Sequence, residues 1–278
     1  MHICMLVLNK FTHDTRVLKE ATTLADNGHS VTVCALGDDT LPDQERVDGF
    51  TVKRWSSRVA KWSWRPPGLM LVEQIIALAR RLARERADVY HAHDANALLS
   101  AFLAARSCGA KLVYDAHELW EGARANSLVA KWRLRVWQRI ERFLSQRADA
   151  VITVNPPIAQ ELKDHFGVHP IVLMNCQEYV EVPKNDMLRQ ELGIAPYQSI
   201  VIYPGLWTYG RGLEQLLQSV PYLDENIVIV LMGPDRLNGK LQKLARTLDI
   251  EDRVRFRQPV PPQEVPRYVA SADLGVMP

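Results

Sequence analysis

The 278-residue chain is short of several things that would place it quickly. No stretch approaches the roughly 18–20 apolar residues of a membrane-spanning helix. The apolar opening Met1–Leu8 has no charged n-region and no small-residue cleavage site, so no signal peptide is expected. Cysteine is scarce: Cys4, Cys34, Cys108 and Cys176 are scattered and form no C-x-x-C pair, which gives no support to a redox motif or a cysteine metal site. Three of the four lie in or beside apolar runs, so they read as reduced, mostly buried thiols of a reducing compartment. An excess of one charge is missing too. Lys and Arg total 34 against 32 Asp and Glu, a net +2, which gives nucleic-acid binding no support. Neither the P-loop pattern nor the G-x-G-x-x-G dinucleotide fingerprint occurs. These absences predict a chain that is cytoplasmic or peripheral on the inner face of a membrane.

What is present is an alternation of strands and helices. Residues 3–8 are an unbroken apolar run, the mark of a strand covered on both faces. Val17, Leu18, Ala21, Leu24 and Ala25 then recur at helical spacing, with Asp14 placed to cap the helix and Gly28 to end it. Strands are predicted at Ser30–Leu36, Val89–Ala92, Lys111–Tyr114 and Val151–Val154, with helices over 69–86, 98–105 and 128–147. A further helix is capped by Asn155, with Pro156 in its first turn. Residues 176–190 break the rhythm, and Gln177 to Lys184 is polar with Pro183 inside it. The domains are therefore set at 1–180 and 185–278. The second has strands at Ser199–Tyr203, Ile227–Met232 and Val254–Arg257, helices after each, and a last strand near Asp273–Pro278. Such alternation implies parallel sheets with right-handed crossovers. About three βα units stand where five or six strands are usual, so the second domain is expected to be incomplete.

Ligands of open α/β sheets bind outside the carboxyl ends of the strands. In the first domain those positions are Asn9–Arg16, His93-Asp94 and His117-Glu118. In the second they are Gly205–Gly212, Gly233-Pro234-Asp235 and Gln258–Pro262. Gly205 to Gly212, with Arg211, follows a strand and opens a helix. Glycines there allow close backbone approach and an arginine supplies a bidentate phosphate contact, which suits a diphosphate; the plainer reading is a tight βα turn with a surface Arg. His117 is placed to orient a substrate or stabilise developing charge, or else to bond backbone at a strand end. His91 and His93 stand at i, i+2, but no third ligand is evident and no metal is expected. Asp14 reads first as a helix cap. Arg16, in the first helical turn, opposes the helix dipole and hints at an anionic group nearby.

One helix is strongly basic. Between 129 and 147 it carries Lys131, Arg133, Arg135, Arg139, Arg142 and Arg147 against Glu141. Trp132, Val136, Ile140 and Leu144 recur every four residues and read as its core-facing stripe. Lys61, Trp62, Trp64 and Arg65 form a second basic and aromatic cluster. Either the helix simply shows a solvated basic face, or the two clusters dock on an anionic membrane surface.

Asp14-x-Arg16-Val17-x-Lys19-Glu20-Ala21, Gly28-His29-x-Val31, His91-Ala-His93-Asp94, Tyr114-Asp115-x-His117-Glu118 and Gly210-Arg211-Gly212-Leu213-Glu214 together resemble retaining glycosyltransferase family 4, as does the closing Ala272-Asp273-Leu274-Gly275-Val276-x-Pro278. The resemblance implies a GT-B-like α/β fold, two doubly wound Rossmann-like parallel-sheet domains facing a cleft. It implies transfer of a sugar from a nucleotide-sugar donor to an acceptor hydroxyl with retained configuration, with no cofactor. The acceptor is a glycan, a lipid-linked molecule or a small molecule. By resemblance, His117 contacts the donor sugar and Arg211 holds the diphosphate, looking into the cleft from opposite walls; Gly205, Gly212 and Gly233 belong to the donor side. Asp14, Arg16, Asp94 and Glu118 fall on the acceptor side. The absence of Asp-x-Asp, the commonest way a sugar transferase holds a divalent ion, agrees with metal-independent transfer.

Two departures stand out. Leu206 occupies the place of a family arginine, and the family's E-x7-E pair would lie past Pro278, so little activity is expected of this chain. A nucleotide-sugar epimerase of the same architecture and a non-catalytic binding protein of the same fold are the alternatives. Product analysis with donor alone separates the first, and transfer activity argues against the second.

Overall fold

The computed structural model describes residues 1–12, 14–56, 67–117, 128–176 and 179–278. They form two compact units, Met1–Cys176 and Gln177–Pro278, each treated by itself.

The first unit is built on an eight-stranded sheet. Its strands are β1 (His2–Leu6), β2 (Ser30–Gly37), β3 (Gln44–Val47), β4 (Phe50–Ser56), β5 (Val89–His93), β6 (Lys111–Ala116), β7 (Ala150–Thr153) and β8 (Ile171–Val172). They lie in the order β3-β4-β2-β1-β5-β6-β7-β8, and only the β3–β4 pair is antiparallel. The crossovers carry α1 (Thr15–Asp26), α2 (Pro67–Ala83), α3 (Ala95–Cys108), α4 (Leu128–Ser145) and α5 (Pro156–Phe166). Alternation divides β1 between two cores. Cys4 and Leu6 face a cluster with Leu98, Ala101, Leu144 and Leu162 from the helices. Ile3, Met5 and Val7 face another with Val17 and Ala21 of α1. The chain runs from β1 outward through β2 and β4, then returns to β5 on the other side, so the topological switch point lies between β1 and β5.

The β3–β4 hairpin is absent from the sequence expectation, although Asp48-Gly49 carries the signal. Both residues take positive φ, 42° and 87°, as a two-residue hairpin turn of the right twist demands. Its β4 inserts beside β2, where Arg54 donates to the Lys10 carbonyl at 3.0 Å and steadies the loop leaving β1.

The thiol expectation needs correction. Cys4 and Cys34 are buried, but Cys108 and Cys176 are exposed. The basic helix needs one as well. Trp132 and Phe143 are 65% and 50% exposed, while Glu141 and Leu144 are buried. A four-residue step overshoots the 3.6-residue turn by about 40°, so a stripe that meets the core at Ile140 and Leu144 begins outside it at Trp132.

Glu141 is held inside by Tyr114, whose hydroxyl donates to it at 2.6 Å. Burial pushes its carboxyl up to about 7. A carboxyl raised in the folded state contributes stability that is complete below about 4.5 and lost as pH rises through about 7. Glu141→Gln keeps the acceptor and removes the charge. The variant is expected to melt above the parent at pH 8, by roughly 1–3 kcal/mol, with the advantage fading by pH 5 in a calorimetric pH series.

The second unit has a four-stranded parallel sheet, β9 (Ser199–Pro204), β10 (Ile227–Met232), β11 (Val254–Arg257) and β12 (Leu274–Gly275), in the order β11-β10-β9-β12. Its helices α7 (Leu213–Ser219) and α8 (Lys240–Thr247) cover one face. On the other, α6 (Met187–Leu192) and α9 (Val265–Val269) pack through Leu188 and Tyr268. The switch point here falls at β9, so the turn after β9 is where a ligand meets the sheet. Among the described residues no helix is long and apolar enough to cross a membrane.

Candidate functional site

In the first unit a polar cluster gathers on the α1 face of the sheet. Tyr90 and Ala92 of β5 point into the opposite core, so alternation turns His91 and His93 together toward α1. Their rings lie 4.2 Å apart. β6 brings Asp115 alongside, in register with His93. From α1, Arg16 reaches the same point: its Nη2 donates to both Asp115 carboxylate oxygens at 3.0 and 2.9 Å, and its Nη1 to the Leu173 carbonyl at 2.8 Å. Its Nε lies 3.0 Å from Asp115, 3.1 Å from Glu20 and 3.2 Å from His117. The anion foreshadowed by a cation in a first helical turn is therefore Asp115, 99 residues away.

His117 stands just past the end of β6. Its Nε2 is 3.0 Å from Asp115 Oδ2. Its Nδ1 is 3.5 Å from Asp94 Oδ2, and its backbone N–H donates to Asp94 Oδ1 at 3.3 Å. Its side chain is 19% exposed, so the ring is gripped yet open to one side.

The protonation states follow from these contacts. Burial pulls the His117 imidazole down, but the hydrogen bond and charge of Asp115, with the charge of Asp94, raise it above its usual value. Burial opposes the Asp115 carboxylate, yet hydrogen bonds from His117 and His93 hold it well below the usual range. Glu20 goes the other way. Burial first, then the charge of Asp115, push it up to about 7 despite Arg16. The Arg16–Glu20 ion pair is thus the weaker claim on a guanidinium that Asp115 holds in bidentate fashion. Burial keeps His91 and His93 neutral by lowering both.

Glu20, His91, His93 and Asp115 bring four donor atoms within 4.8 Å of one another, so partners for the two histidines exist that no sequence spacing revealed. The Arg16 guanidinium lies against both carboxylates.

Asp14 caps α1, accepting from the Val17 N–H at 3.2 Å and from Asn9 Nδ2 at 2.8 Å. Glu118 and the Lys61–Arg65 cluster lie outside the described residues.

In the second unit the turn after β9 is clamped to the turn after β10. Gly205 N–H donates to the Met232 carbonyl at 2.9 Å, Trp207 N–H to the Pro234 carbonyl at 3.0 Å, and Arg236 N–H to the Trp207 carbonyl at 2.9 Å. Gly233 is where the two turns touch: a Cβ built on it would lie 2.0 Å from the Gly205 carbonyl oxygen, at φ +154°. Gly233→Ala is expected to destabilise the Gln177–Pro278 unit by about 3 kcal/mol, read from its urea unfolding. Arg211 is exposed and makes no hydrogen bond or ion pair among the described residues. The helix behind it, α7, has only seven residues. Leu206 is 38% exposed.

Comparison with known proteins gives a consistent picture. Residues 14–176 match the family described as Glycosyltransferase Family 4, and residues 184–278 match Glycosyl transferases group 1. An uncharacterised glycosyltransferase of Methanocaldococcus jannaschii is 24% identical, over 93% of this chain and 68% of its own length. A D-inositol 3-phosphate glycosyltransferase of Geodermatophilus obscurus is 24% identical, over 94% of this chain and 64% of its own. Among solved structures, sucrose-phosphate synthase of Thermosynechococcus elongatus superposes with a TM-score of 0.78 at 16% identity, over all of this chain and 75% of the other. Anabaena HepE in complex with UDP-glucose gives 0.69 at 18%, over 99% of this chain and 73% of the other. At such identities the structures speak for the fold, which is GT-B.

Proposed function

Because the chain belongs to Glycosyltransferase Family 4, we propose that it takes part in moving a hexosyl unit from a nucleotide-diphosphate sugar to an acceptor hydroxyl, with retention and without a metal ion. The observation that carries the reading is His117, partly open at the carboxyl end of β6 and fixed between Asp94 and Asp115. In this reading His117 meets the donor sugar, and Asp14 and Asp94 border the acceptor. Arg16 acts from beneath, through Asp115. The diphosphate lies on the Gly205–Gly212 turn with Arg211, close to Gly233. The bond from the anomeric carbon to the diphosphate oxygen breaks and a bond to the acceptor oxygen forms on the same face. The acceptor proton passes to the leaving diphosphate. Arg236 supports this reading, because its main chain is tied to Trp207. An arginine is thereby anchored by its main chain to the residue next to Leu206, where the family arginine is missing. The donor chemistry is drawn from HepE, which was solved with UDP-glucose.

The test is thermal unfolding of the chain with UDP, GDP and ADP. A ligand at 100 times its dissociation constant adds about 2.7 kcal/mol. One diphosphate is expected to raise the melting temperature in the parent and not in Arg211→Ala. No shift with any of the three contradicts the donor site.

The same reading puts the chain at an anionic membrane surface, peripheral on the cytoplasmic side. Arg135, Arg139, Arg142 and Arg147 are exposed along α4 and beyond its end with Trp132 and Phe143, and the helix's one acid, Glu141, is turned inward. The described part of this face is therefore mainly basic and aromatic, with Gln146 among the exposed residues, and suits lipid headgroups. Phosphatidylglycerol vesicles should sediment the chain at low salt and phosphatidylcholine vesicles should not, and reversing Arg135 and Arg139 to Glu should abolish the difference. Equal sedimentation by both lipids contradicts the docking surface.

A further inference from the structure

Asp94 sits at the first capping position of α3 yet does not cap it: no hydrogen bond joins its side chain to the first turn. An aspartate there ordinarily accepts from the second or third helical N–H. Its carboxylate is turned instead toward His117, one oxygen on the backbone N–H and the other facing Nδ1. Its backbone is unusual as well. At φ +67° and ψ +159° it occupies a region that residues with side chains rarely adopt. The conformation is held at both ends. Asp94 N–H donates to the Asp115 carbonyl at 2.9 Å, and its own carbonyl accepts from Ala97 N–H at 3.1 Å. A strained residue that ties the end of β5 to the end of β6, and declines the cap to reach a histidine, is placed for that histidine.

We propose that Asp94 is a positioning residue for His117, fixing the imidazole between two carboxylates so that its free edge keeps one orientation and one charge. This rests on the reading of His117 as the group that meets the donor sugar. Among the described residues, the charged and titratable groups that face His117 are Arg16 and Glu20 from α1, His93 and Asp94 at the end of β5, and Asp115 on β6. Below about pH 7, where Glu20 is protonated and His93 is neutral, two carboxylates balance Arg16 and a protonated His117, and the ionisation of Glu20 above that adds to the negative charge. Loss of the His117 proton leaves the group net negative, which favours a positive charge growing on a sugar carbon. Turnover is therefore expected to rise with pH through the His117 titration, and Asp94 sets where that rise falls.

Sign and size follow simply. A carboxylate near imidazole favours the charged ring, so neutralising Asp94 moves the titration to lower pH. Asp94→Asn keeps an acceptor for the His117 N–H. Asp94→Gly removes the carboxylate and relieves the backbone, so it guards against misfolding in the first variant. The imidazole resonance of His117, assigned by its loss in His117→Gln, is to be followed by NMR against pH in the parent and both variants. Both should titrate about one pH unit lower than the parent. The acid limb of kcat should move by the same amount, with KM for the donor little changed. A His117 titration that stays in place in both variants overturns the proposal. The titration needs no donor, so a parent without turnover counts against the transferase reading and leaves the positioning claim to stand or fall by the resonance.

Discussion

Arg16→Ala is expected to destabilise the Met1–Cys176 unit by about 3–5 kcal/mol. The guanidinium is the bidentate partner of Asp115, whose carboxylate is wholly buried. Truncation leaves that charge without its cation, against a second acid already crowded by it. Loss of one partner of a buried pair is costly because the other stays behind desolvated. Arg16→Lys keeps the charge but offers no planar fork, so it should fall between parent and alanine. Asp115→Asn in the Arg16→Ala background should recover part of the loss, since no anion is then stranded. Calorimetry of the three variants reads all of this. An Arg16→Ala protein that melts with the parent would mean that Asp115 takes up a proton or a water in its place.

The second large effect is on chemistry. His117→Ala should lower sugar transfer by roughly 10²–10³-fold with the nucleotide affinity near that of the parent, and should also lower the melting temperature, because the buried Asp115 carboxylate loses one of its hydrogen bonds. The two effects are separable, because the loss of stability follows the Asp115 hydrogen bond and is read by calorimetry, while the loss of rate is read from kcat. His117→Gln should behave like alanine in rate, because a carboxamide does not reproduce the imidazole that Asp94 and Asp115 hold in one orientation. A kcat that falls alone separates this role from simple loss of binding.

The parallel architecture was legible because its strands are buried on both faces and read as unbroken apolar runs. Two short elements were not: β8 has two residues and α6 six, too few for a period to show. The β3–β4 hairpin was missed although Asp48-Gly49 announces it, since β3 alternates with little apolar contrast. Of the site, the positions beyond the strand ends were legible from topology alone. The Arg16–Asp115 contact was not, since no local pattern links residues 99 apart; its one trace was a cation opposing a helix dipole. Third and fourth donors around His91 and His93 were invisible for the same reason, as they come from α1 and β6. On α4 the Trp132 end of the stripe was misjudged, because a four-residue spacing looks helical over one turn and drifts across the face over three, while Ile140 and Leu144 do meet the core.

The account stands most directly on one measurement: release of nucleoside diphosphate from a panel of nucleotide sugars, compared among the parent, His117→Ala and Arg211→Ala. Slow turnover of at least one donor is predicted for the parent, with kcat collapsing in the histidine variant and diphosphate affinity weakening only in the arginine variant. Turnover indifferent to His117, or diphosphate binding indifferent to Arg211, contradicts it.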